Sequence, residues 1–220
     1  MVTDHASQFP MQPGAQAGDF LKDSPSQSLL VEIDYIQGKA PSSAAIDMLM
    51  TRLTERCRKP LGITYILSDA IPTQNLGFWF RQDLINAEVA HRNHYSAINT
   101  AVLYVLYVDS ASEFDAGNRV VVGYTYSGTG IAMFKDNLLL QAHGDANQAA
   151  LVEQPAVAHE CGHIYGLVNG MTPMQTPHED PAARLHDVSS GCLMFHSTNQ
   201  QGATQFCSSC LADLQAVGGR

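Results

Sequence analysis

The order of apolar and polar positions along the chain predicts alternating strands and helices. Residues 29–36, LLVEIDYI, alternate and are rich in β-branched and aromatic side chains, so they predict a strand. The serine pair Ser42-Ser43 then precedes apolar side chains at helical spacing, which predicts a capped amphipathic helix. Its apolar face consists of Ile46, Leu49, Met50, Leu53 and Cys57. Pro60 ends this helix, and ITYIL, residues 63–67, is the second predicted strand.

The second half of the pattern adds a helix over about 81–90 and then the most apolar stretch of the chain. TAVLYVLYV, residues 100–108, is apolar on both faces and predicts the central strand. VVVGYTYS, residues 120–127, and GIAMF, residues 130–134, predict further strands or a sheet edge. A helix beginning near Ala149 follows, and then an irregular tail. The order predicts a mixed α/β fold with a small twisted sheet.

The first 28 residues differ in composition from the rest. They are rich in Pro, Gln, Gly and Ser and predict a disordered or loosely attached leader over 1–28, followed by a single domain over 29–220. The leader has no basic start and no continuous apolar segment, so it is not a secretory signal as it stands. A chain whose export signal had been removed would have the same N-terminal sequence, so the sequence does not decide the cellular compartment. The cytoplasm is favoured.

Charge and hydropathy exclude two classes of partner. The chain has 12 Lys and Arg against 21 Asp and Glu, a net charge of −9, without a basic cluster, which argues against a nucleic-acid partner. The longest apolar run, 100–108, is too short to span a membrane, so no membrane insertion is expected. The oligomeric state is left open.

The candidate chemistry lies in AVAHECGHIYGLVNG, residues 156–170. On a helix, residues four apart share a face, so His159 and His163 can bind one zinc ion. Glu160 follows the first ligand and can accept a proton from a zinc-activated water as general base. Gly166 permits a sharp turn after the second ligand. The alternative is a surface helix with two chance histidines.

A third ligand must come from elsewhere, because two helix residues do not hold a catalytic zinc alone. Asn169, three residues after Gly166, offers only a neutral amide oxygen, which suits zinc poorly. The remaining downstream candidates are His178, His186, Asp180 and Asp187. An acid beside His178 could orient its ring as an outer partner. For either histidine, the alternative is a solvent-exposed loop residue.

The sequence after His186 reads HDVSSGCLM, a spacer of 12 residues, and CSSC. Together with the helix motif it resembles the archaemetzincin pattern of the metzincin metalloproteases. That pattern is HExxHxxGxxH, then Cys, four residues, Cys-x-Met, a spacer and Cys-x-x-Cys. In that family the third histidine completes the catalytic zinc site, the Met turns beneath it, and four cysteines bind a second, structural zinc. The resemblance implies a metzincin fold, with an upper part over 29–168 and a lower part over 169–220.

The resemblance makes His186 the first choice for the third ligand, with His178 as its rival. The match requires an insertion, since His186 lies 17 positions after Asn169. The inserted residues are rich in Pro, Thr and polar side chains and can loop out from the helix. Met194 then corresponds to the methionine of the turn.

The same comparison implies a second zinc site. Asp187 stands where the family has its first cysteine, and Cys192, Cys207 and Cys210 match the other three. A disulfide from Cys192 to one of the pair, or reduced cysteines packing the end of the domain, are the alternatives. Cys161 and Cys57 are expected to be small buried hydrophobic residues.

His196 lies two residues after Met194, where some metzincins carry a tyrosine that steadies the transition state. His196 is therefore a candidate to donate a hydrogen bond to the developing oxyanion, the alternative being a surface histidine.

The implied function is a zinc-dependent peptidase, with a peptide or protein substrate that pairs with an edge strand, expected to be GIAMF. Two alternatives remain. One is a catalytically inactive, zinc-stabilised peptide-binding module, favoured by the missing histidine at position 169. The other is a metal hydrolase of a non-peptide substrate, which the motif does not exclude.

Overall fold

The computed structural model describes residues 12–197 and 203–220. Residues 1–11 of the predicted leader and residues 198–202 of the predicted spacer lie outside the described residues. In chain order the elements are α1 (Ala17–Leu21), β1 (Ser26–Ile36), α2 (Ser43–Arg56), β2 (Ile63–Ile71), β3 (Phe78–Trp79), α3 (Arg81–His91), β4 (Asn99–Val108), β5 (Ala111–Ser112), β6 (Gly123–Thr125), β7 (Gly130–Phe134), α4 (Lys135–Gln141), α5 (Ala146–Ile164), β8 (Glu179–Asp180), β9 (Ala183–Asp187) and α6 (Ser208–Ala216).

The main sheet has five strands in the order β2-β1-β4-β7-β6. The first four strands are parallel, and β6 is antiparallel to β7. Strand β4 is central, as its apolar run predicts, and its residues 101–108 are all buried. The mixed α/β fold with a small sheet is confirmed.

The alternation of side chains along β4 divides the core into two layers. Its odd-numbered apolar residues pack into a large cluster with α2 and α5, whereas Tyr104, Leu106 and Val108 pack with Trp79 on the opposite face. Helix α5 is therefore held against the sheet along most of its length. Its buried apolar residues are Val152, Ala156, Val157, Ala158, Cys161 and Ile164.

Side-chain caps fix where the two core helices begin. Ser42 Oγ accepts a hydrogen bond from the Ala45 backbone N at 3.2 Å, which starts α2 at the predicted serine pair. Asp145 caps α5 by accepting from the backbone N of Asn147 and of Gln148. Helix α5 thus begins at Ala146, three residues before the predicted start.

The edge of the sheet differs from the prediction. GIAMF forms β7, which lies between β4 and β6, so the predicted edge at GIAMF is wrong. The edge strand on this side of the sheet is β6, and β2 is the edge strand on the other side. The reason is a tight reversal over residues 126–130, where Tyr126 N donates to Gly130 O at 3.1 Å. This reversal folds β6 back along β7 and covers it.

The N-terminal segment is packed, not loosely attached, over its described part. Phe20 and Leu21 on α1 are buried in the large core cluster, and β1 already begins at Ser26. Lys59 Nζ donates to the carbonyls of Asp19 and Ser26, both at 2.6 Å. The predicted boundary at Ser28 is therefore wrong for residues 17–28. The apolar side chains of this polar stretch pack into a core that is built from residues later in the chain.

Gly14 precedes α1 in the chain and lies against the turn that follows α5. Its φ is +85°, and a Cβ there would lie 2.3 Å from the Gly170 carbonyl oxygen and 2.6 Å from the Gly166 Cα. Only glycine permits this approach of two backbones.

Beyond α5, the predicted inserted loop contains the short antiparallel hairpin β8–β9. Within the described ranges, none of the helices combines the length and the apolar character needed to cross a bilayer.

Replacing Phe20 by Ala should lower the free energy of unfolding by about 3–5 kcal/mol, because a buried aromatic ring leaves a cavity. Urea unfolding curves measure this. Leu61→Ala is the matched control, since Leu61 is 68% exposed and its truncation should change stability by less than about 0.5 kcal/mol. Equal stabilities of Phe20→Ala and wild type would show that α1 is only loosely attached.

Candidate metal centre

Two histidines on successive turns of α5 face each other. The Nε2 atoms of His159 and His163 are 3.1 Å apart, and their ring centroids are 4.9 Å apart. This separation is shorter than twice the zinc–nitrogen distance of roughly 2.0–2.1 Å, so a single ion can contact both nitrogens.

His186 completes the group from strand β9. Its ring centroid lies 5.2 Å from that of His159 and 5.2 Å from that of His163. The possible ligand atoms of the three residues all lie within 4.8 Å of one another. The structure thus brings together the three histidines proposed from the sequence.

The β8–β9 hairpin carries His186 to the helix. Glu179 binds both sides of this connection: Oε1 accepts from Leu185 N at 2.9 Å, and Oε2 accepts from Asn169 Nδ2 at 3.2 Å. Asn169, at the position where a third histidine was sought, therefore holds the hairpin in place through its amide. It has a φ of +65°, which Asn tolerates better than most residues.

Backbone carbonyls fix the ring orientation of two of the histidines. His159 Nδ1 donates to Leu193 O at 2.7 Å, and His186 Nδ1 donates to Arg184 O at 2.9 Å. A carbonyl only accepts, so in each neutral ring the proton is on Nδ1 and the Nε2 lone pair is free. This is the arrangement of metal-binding histidines, and three neutral imidazoles suit zinc.

Burial keeps these imidazoles neutral. It lowers the pKa of His159 to about 4 and that of His163 well below its usual value, and it also lowers the pKa of His186. Since a metal binds only the unprotonated ring, the group is ready for a cation at neutral pH without first losing protons.

Glu160 follows His159 on α5, and its carboxylate lies against the edge strand β6. Thr125 Oγ1 donates to Glu160 Oε2 at 2.7 Å. A Cβ at Gly123 would lie 2.7 Å from Glu160 Oε1, so the carboxylate fills the space that a side chain on β6 would take. Burial raises the pKa of Glu160 to about 7, where a carboxylate is a stronger base than usual.

Thr125 and Gly123 were not selected from the sequence. A glycine inside a strand pattern signals close approach of another group, and this signal could have identified Gly123. Thr125 had no such signal, because its role depends on how β6 folds back over α5.

Met194 packs beneath the histidine pair. Its side chain is fully buried, and a Cβ at Gly162 would lie 2.1 Å from Met194 Sδ. The preceding Leu193 carbonyl holds His159. One short segment therefore supports the helix and orients a histidine.

A second group consists of Asp187, Cys192, Cys207 and Cys210, whose possible ligand atoms also lie within 4.8 Å of one another. The Sγ atoms of Cys192 and Cys210 are 3.6 Å apart, too far for a disulfide, and Cys207 Sγ is 3.0 Å from Asp187 Oδ2. All five cysteines are free. Hydrogen bonds from Cys192 and Cys210 lower the pKa of Cys207, which favours a thiolate there.

His178 lies at this second group and is not part of the histidine triad, so its rival placement at the first site is wrong. Its Nε2 is 3.6 Å from Cys210 Sγ, and its Nδ1 donates to Thr176 O at 2.8 Å. The hairpin that follows carries the chain from one group to the other, which explains why only His186 reaches α5.

His196 lies at the rim, 45% exposed, with Nδ1 3.8 Å from Asp180 Oδ2. Its charge contributes to lowering the pKa of both His159 and His186, which places it near them. Cys161 and Cys57 are buried, as expected.

The metal-free protein should lose stability as the pH falls from about 6.5 towards 4. In this window the unfolded chain protonates its histidines, whereas the folded chain binds fewer protons at His159, His163 and His186, whose folded pKa values are lowered. The unfolded state then binds more protons than the folded state, so the free energy of unfolding decreases as the pH is lowered. Urea unfolding after chelation, repeated across this range, measures it.

Glu160 acts in the opposite sense, because its folded pKa of about 7 exceeds the usual 4.5 and acidification relieves the cost of burying its charge. The Glu160→Gln variant should therefore lose more stability on acidification than wild type. A flat profile in both proteins would contradict the assignment of neutral, buried imidazoles.

No family model matches the sequence, and none of the curated proteins searched matches it. Solved structures do match. An archaemetzincin from Methanopyrus kandleri is 15% identical, with a TM-score of 0.57 over 87% of this chain and 96% of that one. A zinc-dependent peptidase from Methanocorpusculum labreanum is 14% identical, with a TM-score of 0.52 over 84% of this chain and 99% of that one. The chain therefore has the archaemetzincin fold.

Proposed function

We propose that this protein is a zinc-dependent peptidase in which His159, His163 and His186 hold the catalytic ion. The observation that carries the proposal is the convergence of three imidazoles from a helix and a hairpin. Glu160 follows His159 on the same helix, and Thr125 holds its carboxylate. The match in fold to a protein described as a zinc-dependent peptidase supports it.

A bound zinc supplies Lewis acidity and an activated water at this position. Glu160 is the general base: its buried carboxylate takes the proton of the attacking water and returns it to the leaving amine. Thr125 holds one carboxylate oxygen at 2.7 Å, so the other is free to face the reacting atoms.

The edge strand β6 supports a peptide as the substrate. Among the described residues it pairs only with β7, so its outer edge offers backbone donors and acceptors. An extended peptide can add to this edge as a further strand. Because β6 also contacts Glu160 through Thr125, such a peptide would lie alongside the general base.

The second group is proposed to bind a structural zinc through the thiolates of Cys192, Cys207 and Cys210. Asp187 offers a carboxylate oxygen for the fourth position. Thiolates at this spacing suit a closed, tetrahedral zinc site that stabilises the lower part of the domain.

Replacing Glu160 by Gln should reduce hydrolysis of a peptide mixture by about 10²–10⁴-fold while zinc stays bound, because the amide cannot accept the proton. His186→Ala should instead lose the catalytic ion. Turnover and zinc content per chain, measured on the same preparations, separate the two effects. If the Glu160→Gln variant keeps full activity, the proposed mechanism is wrong. A wild type that binds peptide without cleaving it would instead favour an inactive binding module.

We also propose that His196 donates a hydrogen bond to the developing oxyanion. His196→Ala should then lower kcat by about 10²-fold with KM and zinc content nearly unchanged. His143→Ala is the matched control, since His143 is an exposed histidine outside both groups. Unchanged turnover in His196→Ala would leave His196 as a surface residue.

A further inference from the structure

His178 is buried, and its Nε2 faces Cys210 of the second group. Only 7% of the residue is exposed. Its Nδ1 donates to the Thr176 carbonyl at 2.8 Å, so in the neutral ring the proton is on Nδ1 and Nε2 carries a lone pair. A metal-binding imidazole is usually held by such a hydrogen bond from the ring nitrogen that does not bind the metal.

The surroundings of Nε2 are rich in electrons. Cys210 Sγ lies 3.6 Å away, Asp213 Oδ2 3.4 Å and Asp187 Oδ2 3.8 Å. A lone pair beside a sulfur and two carboxylate oxygens is unfavourable unless a proton or a metal cation lies among them.

Asp213 gives a second, independent indication of a cation. This α6 residue is fully buried, and its Oδ2 has no hydrogen-bond partner in the part of the chain that the structure describes. Its other oxygen accepts from Gln175 N at 2.6 Å, which fastens the segment before His178 to α6. The Asp213 Oδ2 and the His178 Nε2 lie 3.4 Å apart, so both face the same region.

We propose that His178 is a ligand of the second zinc ion, bound through Nε2 together with Cys192, Cys207 and Cys210. This rests on the second site of the proposed function and assigns its fourth position to an imidazole, where Asp187 was the first candidate.

Charge favours the imidazole over the carboxylate. Three thiolates around Zn²⁺ leave one negative charge, and a bound Asp187 would leave two, in a buried site that already contains the Asp213 carboxylate. Neutral His178 adds none. Three cysteines and one histidine are also an established ligand set of structural zinc sites.

Asp187 has other partners that explain its position. Its Oδ1 accepts from Ser189 N at 2.7 Å, which shapes the turn leading to Cys192. Its Oδ2 lies 3.0 Å from Cys207 Sγ, where a hydrogen bond requires a proton on one of the two groups.

The test uses the full chain with ¹⁵N-labelled histidine and ¹¹³Cd in place of zinc. The expected result is two cadmium resonances. One is coupled to ring nitrogens of the triad, and the other is coupled to a single ring nitrogen that disappears in His178→Gln. The coupling is detected on the unmutated protein, and the variant serves only to assign the coupled nitrogen to His178.

Metal content gives the second readout. His178→Gln should weaken the second ion more than about 100-fold, Cys207→Ser should abolish it, and Asp187→Asn and His143→Ala should keep it. Two bound ions without nitrogen coupling to the second, or a His178→Gln variant with an unchanged second resonance, would overturn the role of His178 alone. A wild type that binds only one ion would overturn the second site as well, but not the catalytic triad.

Discussion

The 3.1 Å approach of the His159 and His163 Nε2 atoms is the constraint on which the lower half of the structure depends. The two facing ring nitrogens can share one proton or one metal ion. Every neighbouring element serves that arrangement: the Leu193 carbonyl orients one ring, and a hairpin delivers His186. Burial by the sheet and Met194 keeps the rings neutral.

Strand β9 links the two candidate centres. Consecutive residues of a strand point to opposite faces, and β9 uses this to place His186 in the triad and Asp187 at the cysteines. The segment that follows does the same with Cys192 and the Leu193 carbonyl. The two groups therefore share one stretch of backbone, so an ion at the cysteines would help to hold the catalytic geometry.

Local patterns predicted the parts of the fold that are set locally. The apolar run of β4 fixed its burial on both faces, the serine pair marked the start of α2, and the four-residue spacing put His159 and His163 on one face. His186 was identified from its spacing to Cys192 and Met194. The insertion that precedes His186 leaves this spacing unchanged. These features depend on neighbours in sequence, which periodicity and spacing record.

The wrong predictions all concern distant pairings. GIAMF has the composition of a strand, but whether it forms an edge depends on β6 folding back over it. Phe20 and Leu21 sit in a polar stretch, and their burial needs a core built from later residues. His178 and His186 both have acids nearby, so only the path of the hairpin decides which centre each one joins. Such pairings carry no periodic signal.

The approach of Gly14 to Gly166 and Gly170 has a practical consequence for recombinant work. The incoming polypeptide passes directly over the bend at the base of the histidine-bearing helix, where two main chains touch without intervening side chains. A side chain at position 14 would press on that bend, because its Cβ would lie 2.3 Å from the Gly170 carbonyl oxygen. Substitutions in the segment before α1 should therefore leave Gly14 in place.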